Sequence, residues 1–328
     1  TIVSHDFNAT TGKGVITFDG GVTTIGDDAF YYSTLSSIHL PSGITTIGYA
    51  AFYGCSYLNT IYLPQSLTYV GKNAFYNCQR LQHIYIEDIA SWCNVDMYGV
   101  DSCPSNYWAY FYLNGEKIKE LTIPSTVSTI KAYAFRRADI EDLIITDGVE
   151  SLGLNAFYGC DFNTLYIPNS ITDLGANTFS WCHGELTINC ECTTKYIPTG
   201  SPFYQNNFTK INIGDQVTTI GDYIFNINNA LTDLSIGANV SSIGECSFYD
   251  TPYLKNITGK FASTDGRCLI VDNKLIAFAP AEITEYEIPE GVTELRQGIM
   301  SYENLTSITL PTSITIVGNQ AFNKCNNI

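Results

Sequence analysis

The sequence predicts a parallel repeat solenoid of the α/β type, and three observations predict it. One phrase recurs: Ile-Gly-x-x-Ala-Phe, a Cys three residues after the Phe, then an apolar-x-apolar-Pro run. It is complete in Ile47, Gly48, Ala51, Phe52, Cys55, Ile61, Leu63 and Pro64. The residues at the Phe position (Phe30, Phe52, Phe75, Phe135, Phe157, Phe179, Phe225, Phe248, Met300 and Phe322) mostly stand 22 or 23 apart. That period is too short for a pair of helices in each repeat. Charged residues are only 15% of the 328, against 45% hydrophobic with 23 Tyr and 17 Phe. A narrow solenoid, whose positions go mostly to a stacked core or a turn, has this composition.

Taken in order, residues 1–20 match no repeat and are expected to form a β-rich cap. From residue 21 each rung follows one plan. Ile61 and Leu63 alternate with Tyr62, so one face of a short strand points inward and the other outward. Pro64 ends pairing on that strand. Gly48 follows Ile47 where a corner must turn, which a residue without Cβ permits. Ala-Phe-x-x-Cys then sets a small, a large and a small apolar group on the opposite wall, and stacking places Phe on Phe and Cys on Cys.

Three gaps break the period. The 60 residues after Phe75 hold a helix-like stretch (EDIASWCNV) and two apolar runs about Asn114-Gly115, a strong hairpin signal. This insertion, near 87–120, rejoins the pattern at Leu121-Thr122-Ile123-Pro124. The 46 residues after Phe179 split at Phe203 into 24 + 22, with Phe208, Ile211 and Ile213 in register, which reads as a degenerate rung. The 52 after Phe248 hold CLIVDNKLIAF, a second hairpin insertion near 258–284 that rejoins at Tyr286-Glu287-Ile288-Pro289. One rung per gap makes about thirteen, a body roughly 60 Å long at about 4.8 Å per strand. One solenoid over 21–328 is therefore expected rather than the two domains that length suggests.

The phrase resembles the BspA-type leucine-rich repeat, a family of bacterial surface proteins also expanded in some protozoan parasites. The likeness spans about residues 21–328, and the inserted hairpins resemble elements of that family. The chain departs from it where Lys131 and Arg296 replace the corner Gly and Met300 replaces the anchor Phe. The resemblance implies surface display and adhesion to host proteins or other microbes, hence an extracellular, cell-surface location. The opening TIVSHDFNATTG has neither the charged n-region nor the apolar h-region of a signal peptide, and no wall-anchoring signal is visible in the sequence. The stop at Asn326-Asn327-Ile328, just after Ala-Phe-Asn-Lys-Cys, reads as an excerpt of a longer protein.

Composition removes other classes. Sixteen Lys+Arg against 32 Asp+Glu leave a net charge of −16, and no nucleic-acid partner is expected at a pI near 4.5. A mean hydropathy of +0.02, without a long apolar run, opposes membrane insertion. No catalytic or phosphate-binding motif is present, so no enzyme and no cofactor are expected. Glu285 and Glu287 flank an inward Tyr286 and should be solvated.

Among the eleven Cys, Cys55, Cys78, Cys160, Cys182 and Cys325 share the slot three residues after the anchor. They read as a column of buried, reduced thiols acting as small hydrophobes. The denser group of Cys182, His183, Cys190 and Cys192 fits no zinc spacing. Cys93 and Cys103 could pair in an exported protein or stay free. The sequons at Asn8, Asn207, Asn239, Asn256 and Asn304 matter only in a eukaryotic secretory host.

The outward strand positions carry the functional signal. Parallel stacking sets His39, Tyr62, His83 and Tyr85 side by side, with Tyr166 further along. Tyr combines apolar area with a hydroxyl and is enriched at binding hot spots, although cross-strand aromatic ladders also stabilise sheets. These five residues are the expected ligand-binding set. The expected partner is a host or microbial surface macromolecule, a protein rather than a glycan. A spacer stalk without a ligand, or a carbohydrate module using Trp92 and Trp108, are the alternatives.

Overall fold

The computed structural model describes residues 2–8, 13–18, 21–193, 198–300, 302 and 304–327. The chain folds as two compact units, residues 1–117 and 118–328, each a stack of short rungs. Ile2–Asn8 pairs antiparallel with Lys13–Phe18. The first unit then stacks Ser37–His39, Thr60–Leu63, His83–Ile86 and Tyr110–Leu113 in parallel, closed by the antiparallel strand Glu116–Lys117. A second sheet of two-residue strands (Thr24–Ile25, Thr46–Ile47, Tyr69–Val70, Asp96–Met97) runs through the same rungs. In the second unit seven parallel strands, from Glu120–Ile123 to Asn256–Gly259, form the main sheet. Within Thr60–Leu63 the alternation is as expected: Ile61 and Leu63 are buried, Thr60 and Tyr62 half-buried.

The α/β expectation needs correction, because the opposite wall is not helical. Among the described residues the α-helix is confined to Ile89–Cys93, capped by Asp88 accepting from the Ser91 N–H at 2.6 Å. The backbone explains why. Residues two before and two after the anchor take left-handed φ, as Asn73 (59°) and Asn77 (60°) do about Phe75, and Asn155 (54°) and Gly159 (70°) about Phe157. An α-helix needs a continuous right-handed run that closes every N–H inside the segment. Here alternate N–H groups point to the next rung: Asn155 to Ala176 O, Phe157 to Thr178 O and Gly159 to Ser180 O, at 3.0, 3.0 and 2.9 Å. The intervening residues close tight turns within the rung, as Tyr158 N–H does on Asn155 O at 3.3 Å.

The anchors stack as the period requires. Ring centroids of Phe30, Phe52 and Phe75 are 5.0 and 5.3 Å apart with planes within 2°. Phe135, Phe157, Phe179 and Phe203 follow at 5.6, 5.5 and 5.6 Å, so the degenerate rung holds its place. Met300, fully buried, donates its N–H to Ala321 O at 2.9 Å as an anchor Phe would. Near Gly184 the strands approach so closely that an added Cβ would overlap the Phe162 carbonyl, and its φ is +115°. Gly184→Ala is accordingly expected to cost about 2 kcal/mol or more. A urea midpoint equal to that of the parent would refute this close approach.

Both insertions contain the expected hairpins, and each also continues the stack. Tyr110–Leu113 turns through Asn114 (φ 53°) and Gly115 (φ 87°) into Glu116–Lys117, while its other edge pairs in parallel with His83–Ile86. In that rung the wall position is taken by buried Ser102, and Phe75 N–H bonds Asp101 O at 3.1 Å. The hairpin Cys268–Val271 with Lys274–Phe278 pairs in parallel with Glu294–Leu295 through its second strand.

The thiol column has a role beyond filling space. Cys55, Cys78, Cys160, Cys182 and Cys325 each donate Sγ–H to the anchor carbonyl of the preceding rung (Phe30, Phe52, Phe135, Phe157 and Met300), at 2.7–3.2 Å. Thr251 does the same within its own rung, to Phe248 O at 3.2 Å. Cys93 and Cys103 are both buried, and Cys103 Sγ lies 3.0 Å from Ser105 Oγ.

Candidate functional site

The strand register of the first unit builds the site. His39 pairs with Tyr62, Tyr62 with Tyr85 and Tyr85 with Tyr112, so the same outward position of four successive strands carries a ring. The rings stack at 5.0, 4.3 and 4.3 Å between centroids, with planes 10°, 21° and 13° apart. One position along, Ser37, Thr60, His83 and Tyr110 form a parallel row. His83 joins the two rows, its Nδ1 2.9 Å from the Tyr112 hydroxyl and its ring 5.7 Å from that of Tyr110. Lys117 Nζ sits 4.2 Å from the Tyr110 ring centre, a cation–π contact. Burial in the stack and the flanking phenols of Tyr62 and Tyr112 push the Tyr85 phenol above its ordinary value.

Sequence reading thus located His39, Tyr62, His83 and Tyr85, which the structure brings together, but not Tyr110 and Tyr112, which extend the array. The signal for them was the alternating Tyr-Phe-Tyr-Leu beside His-Ile-Tyr-Ile, hidden by the irregular gap. Tyr166 lies in the main sheet of the second unit. It is half exposed and is paired in register with Ile144 rather than with another ring.

Electrostatics separate the ladder from the second unit's sheet. The strands Ser37–His39, Thr60–Leu63, His83–Ile86 and Tyr110–Leu113 contain no Asp, Glu, Lys or Arg. In the second unit the row that corresponds to Ser37, Thr60, His83 and Tyr110 reads Glu120, Asp142, Thr164, Glu185, Lys210, Asp233 and Asn256. The row that corresponds to the ladder itself is uncharged, reading Thr122, Ile144, Tyr166, Thr187, Asn212, Ser235 and Thr258. In a chain of net charge −16, the ladder strands are free of carboxylates. The four rings hide their electron-rich faces against one another and present their positive edges and hydroxyls outward.

A second row of rings was not anticipated. On the wall of the same unit Tyr31, Tyr53 and Tyr76, each following an anchor Phe, stack at 5.1 and 4.9 Å. Tyr32 lies edge-on to Tyr31 at 4.7 Å.

The group around Cys182 does not converge. Cys182 donates inward to Phe157 O while His183 turns outward, its Nδ1 2.5 Å from Asp161 Oδ1, and Cys192 Sγ bonds Cys190 O at 3.5 Å. Among the described residues no three His, Cys, Asp or Glu are grouped to hold a metal ion. No described helix is long and apolar enough to cross a membrane.

A model of the BspA type leucine-rich repeat region matches six copies, over residues 1–98, 108–226, 151–265 and 199–328. The chain belongs to the BspA-type leucine-rich repeat family. Among solved structures, a leucine-rich repeat protein from Bacteroides ovatus aligns over 100% of this chain and 91% of its own. It is 20% identical, with a TM-score of 0.56, and shows the shared fold. A leucine rich cell surface protein from Faecalibacterium prausnitzii aligns over 100% and 97% at 19% identity and a TM-score of 0.46. The pneumococcal vaccine antigen PcpA aligns over 92% and 72% at 17% identity and a TM-score of 0.39. No curated protein matches the chain. In this BspA-type protein the repeat explains the ladder directly, because a parallel register returns the same outward position in every rung.

Proposed function

We propose that this BspA-type protein is displayed at the cell surface and binds a macromolecular partner along the His39–Tyr62–Tyr85–Tyr112 ladder. The carrying observation is the stacked row of rings on carboxylate-free strands. Stacking favours a protein over a glycan. Sugars pack onto open ring faces, whereas the inner faces of this ladder are covered by neighbouring rings. The outward edges, hydroxyls and imidazoles suit a segment rich in hydrogen-bond acceptors, such as the carbonyls and carboxylates of an extended peptide. A rigid array also lets several weak contacts add through effective concentration.

The test is binding of the purified chain to a panel of host-matrix proteins beside a glycan array. A protein ligand should appear, and Tyr62→Ala with Tyr85→Ala should weaken it at least about 30-fold, the loss of one hot-spot residue. Unchanged affinity would end the ladder assignment. Binding only to glycans would reverse the choice of partner, and no binding on either panel would favour a spacer stalk.

A further inference from the structure

The second unit holds an open cavity of about 360 Å³, at the lower end of the range for small-ligand clefts, roughly 300–1,000 Å³. It lies where the strands Asn207–Ile213, Asp233–Ile236 and Asn256–Gly259 run into their turns. Ile167, Ile188, Ile213, Ile236 and Gly259 are in register. The position that follows them therefore reads Pro168, Asn189, Gly214, Gly237 and Lys260 along the stack. Two successive rungs carry no side chain there, and the third carries a long cation. Asn212 and Ser235 line the cavity from the strands, Asp215 and Ala238 from the turns.

The lining carries one charge of each sign. Asp215 Oδ1 accepts the Ala238 N–H at 2.7 Å, and the Asn239 side-chain amide donates to Asp215 O at 2.8 Å, so both turn and carboxylate are fixed. A carboxylate has a second oxygen with lone pairs of its own. Lys260 Nζ lies 5.0 Å from the Phe261 ring centre, a cation–π contact that holds the ammonium and needs none of its three N–H donors in a hydrogen bond. The rungs of Asp215 and Lys260 are two strand spacings apart, about 10 Å. About three extended residues span that distance at roughly 3.3–3.6 Å each. Between the two charges stand the Asn212 amide and the Ser235 hydroxyl, which donate and accept as the N–H and C=O groups of a peptide require.

A ligand with separated charges of both signs complements this lining. A neutral sugar would meet neither charge with an opposite one, and the nearby Phe261 ring already faces Lys260. We propose that the cavity binds a short zwitterionic peptide of about three residues, its amino end on Asp215 and its carboxylate on Lys260. The site belongs to the second unit and is separate from the tyrosine ladder.

The test is calorimetric titration of the whole chain with trialanine, N-acetyl-trialanine, trialanine amide and maltotriose. Saturable binding of trialanine is expected, and capping either end should weaken it about fivefold, the strength of one solvent-exposed ion pair. Asp215→Asn retains the acceptor for the Ala238 N–H and so preserves the turn, and it should erase the preference for a free amine. Lys260→Gln should erase the preference for a free carboxylate. Equal binding of trialanine and its capped forms, or no saturable binding of trialanine, would overturn the proposal. Binding of maltotriose in place of trialanine would overturn the peptide as ligand, and end-group preferences that survive in both variants would overturn the site.

Discussion

Phe157→Ala is expected to remove about 3–5 kcal/mol of stability, the range for deleting a fully buried aromatic side chain. Phe157 is 0% exposed. It stacks on Phe135 at 5.6 Å and on Phe179 at 5.5 Å, with the edge of Phe162 at 6.4 Å. The wall around it cannot relax into the space. Its own N–H and those of Asn155 and Gly159 are fixed to the next rung, so truncation leaves a cavity rather than a collapsed core. Two offset-stacked pairs are lost as well, each worth about 0.5–1.5 kcal/mol in other proteins. Because a rung contacts only its neighbours, the damage should be felt at both adjoining interfaces. Phe30→Ala provides the contrast: Phe30 is only half-buried and stacks on a single ring, Phe52, so a smaller loss is expected. Urea denaturation of both variants checks this. A Phe157→Ala midpoint equal to that of the parent would contradict the stacked core.

Alkaline pH is expected to unfold the protein more steeply than its tyrosines alone would. Burial raises the thiols of Cys78, Cys93, Cys190 and Cys268 from an ordinary 9.0 to about 12. Burial also raises the thiols of Cys160 and Cys192 well above the ordinary 9.0. The sign follows from proton counting. Above about pH 9 the unfolded chain has lost thiol protons that the folded chain keeps, so the unfolded state binds fewer protons and stability falls as pH rises. Each such thiol contributes a slope of about 1.4 kcal/mol per pH unit between its unfolded and folded values. Below about pH 9 the thiols are protonated in both states and add no pH dependence. Melting temperatures between about pH 8 and pH 11 check the effect, and Cys78→Ala should flatten the curve. A flat profile across that window would contradict the buried thiol column. At neutral pH, a thiol reagent should modify Cys246 and Cys325, the two partly exposed cysteines, well before the others.

Much of the rung was legible because period and burial coincide. The 22- and 23-residue spacing of the anchors located the ring stack, including the degenerate rung at Phe203. The form of the wall was not legible. Asn73, Asn77, Asn155 and Gly159 tolerate left-handed φ and signal it, but Ala50, Tyr133 and Cys246 adopt it too without any sequence mark. An Ala-Phe-x-x-Cys phrase therefore reads as helix when taken alone. What forbids helix is non-local: the next rung offers carbonyls to every second N–H.

The thiol column was visible in the spacing, whereas its hydrogen bonds to the preceding anchor carbonyls belong to the stacking geometry. Tyr110 and Tyr112 were missed because Ser102 stands where an anchor Phe would have marked their rung. The wall row of Tyr31, Tyr53 and Tyr76 was in plain sight as three Phe-Tyr pairs.

We propose that the sheet-face ladder, rather than the aromatic content of the unit in general, recognises the partner. It is tested most directly by comparing two paired variants against one captured protein ligand. Tyr62→Ala with Tyr85→Ala strips the sheet row, and Tyr31→Ala with Tyr76→Ala strips the wall row of the same unit. Affinity measured by biolayer interferometry should fall at least about 30-fold for the sheet pair and stay within about twofold for the wall pair. Equal affinities for the sheet pair and the parent, or a loss confined to the wall pair, would contradict the account.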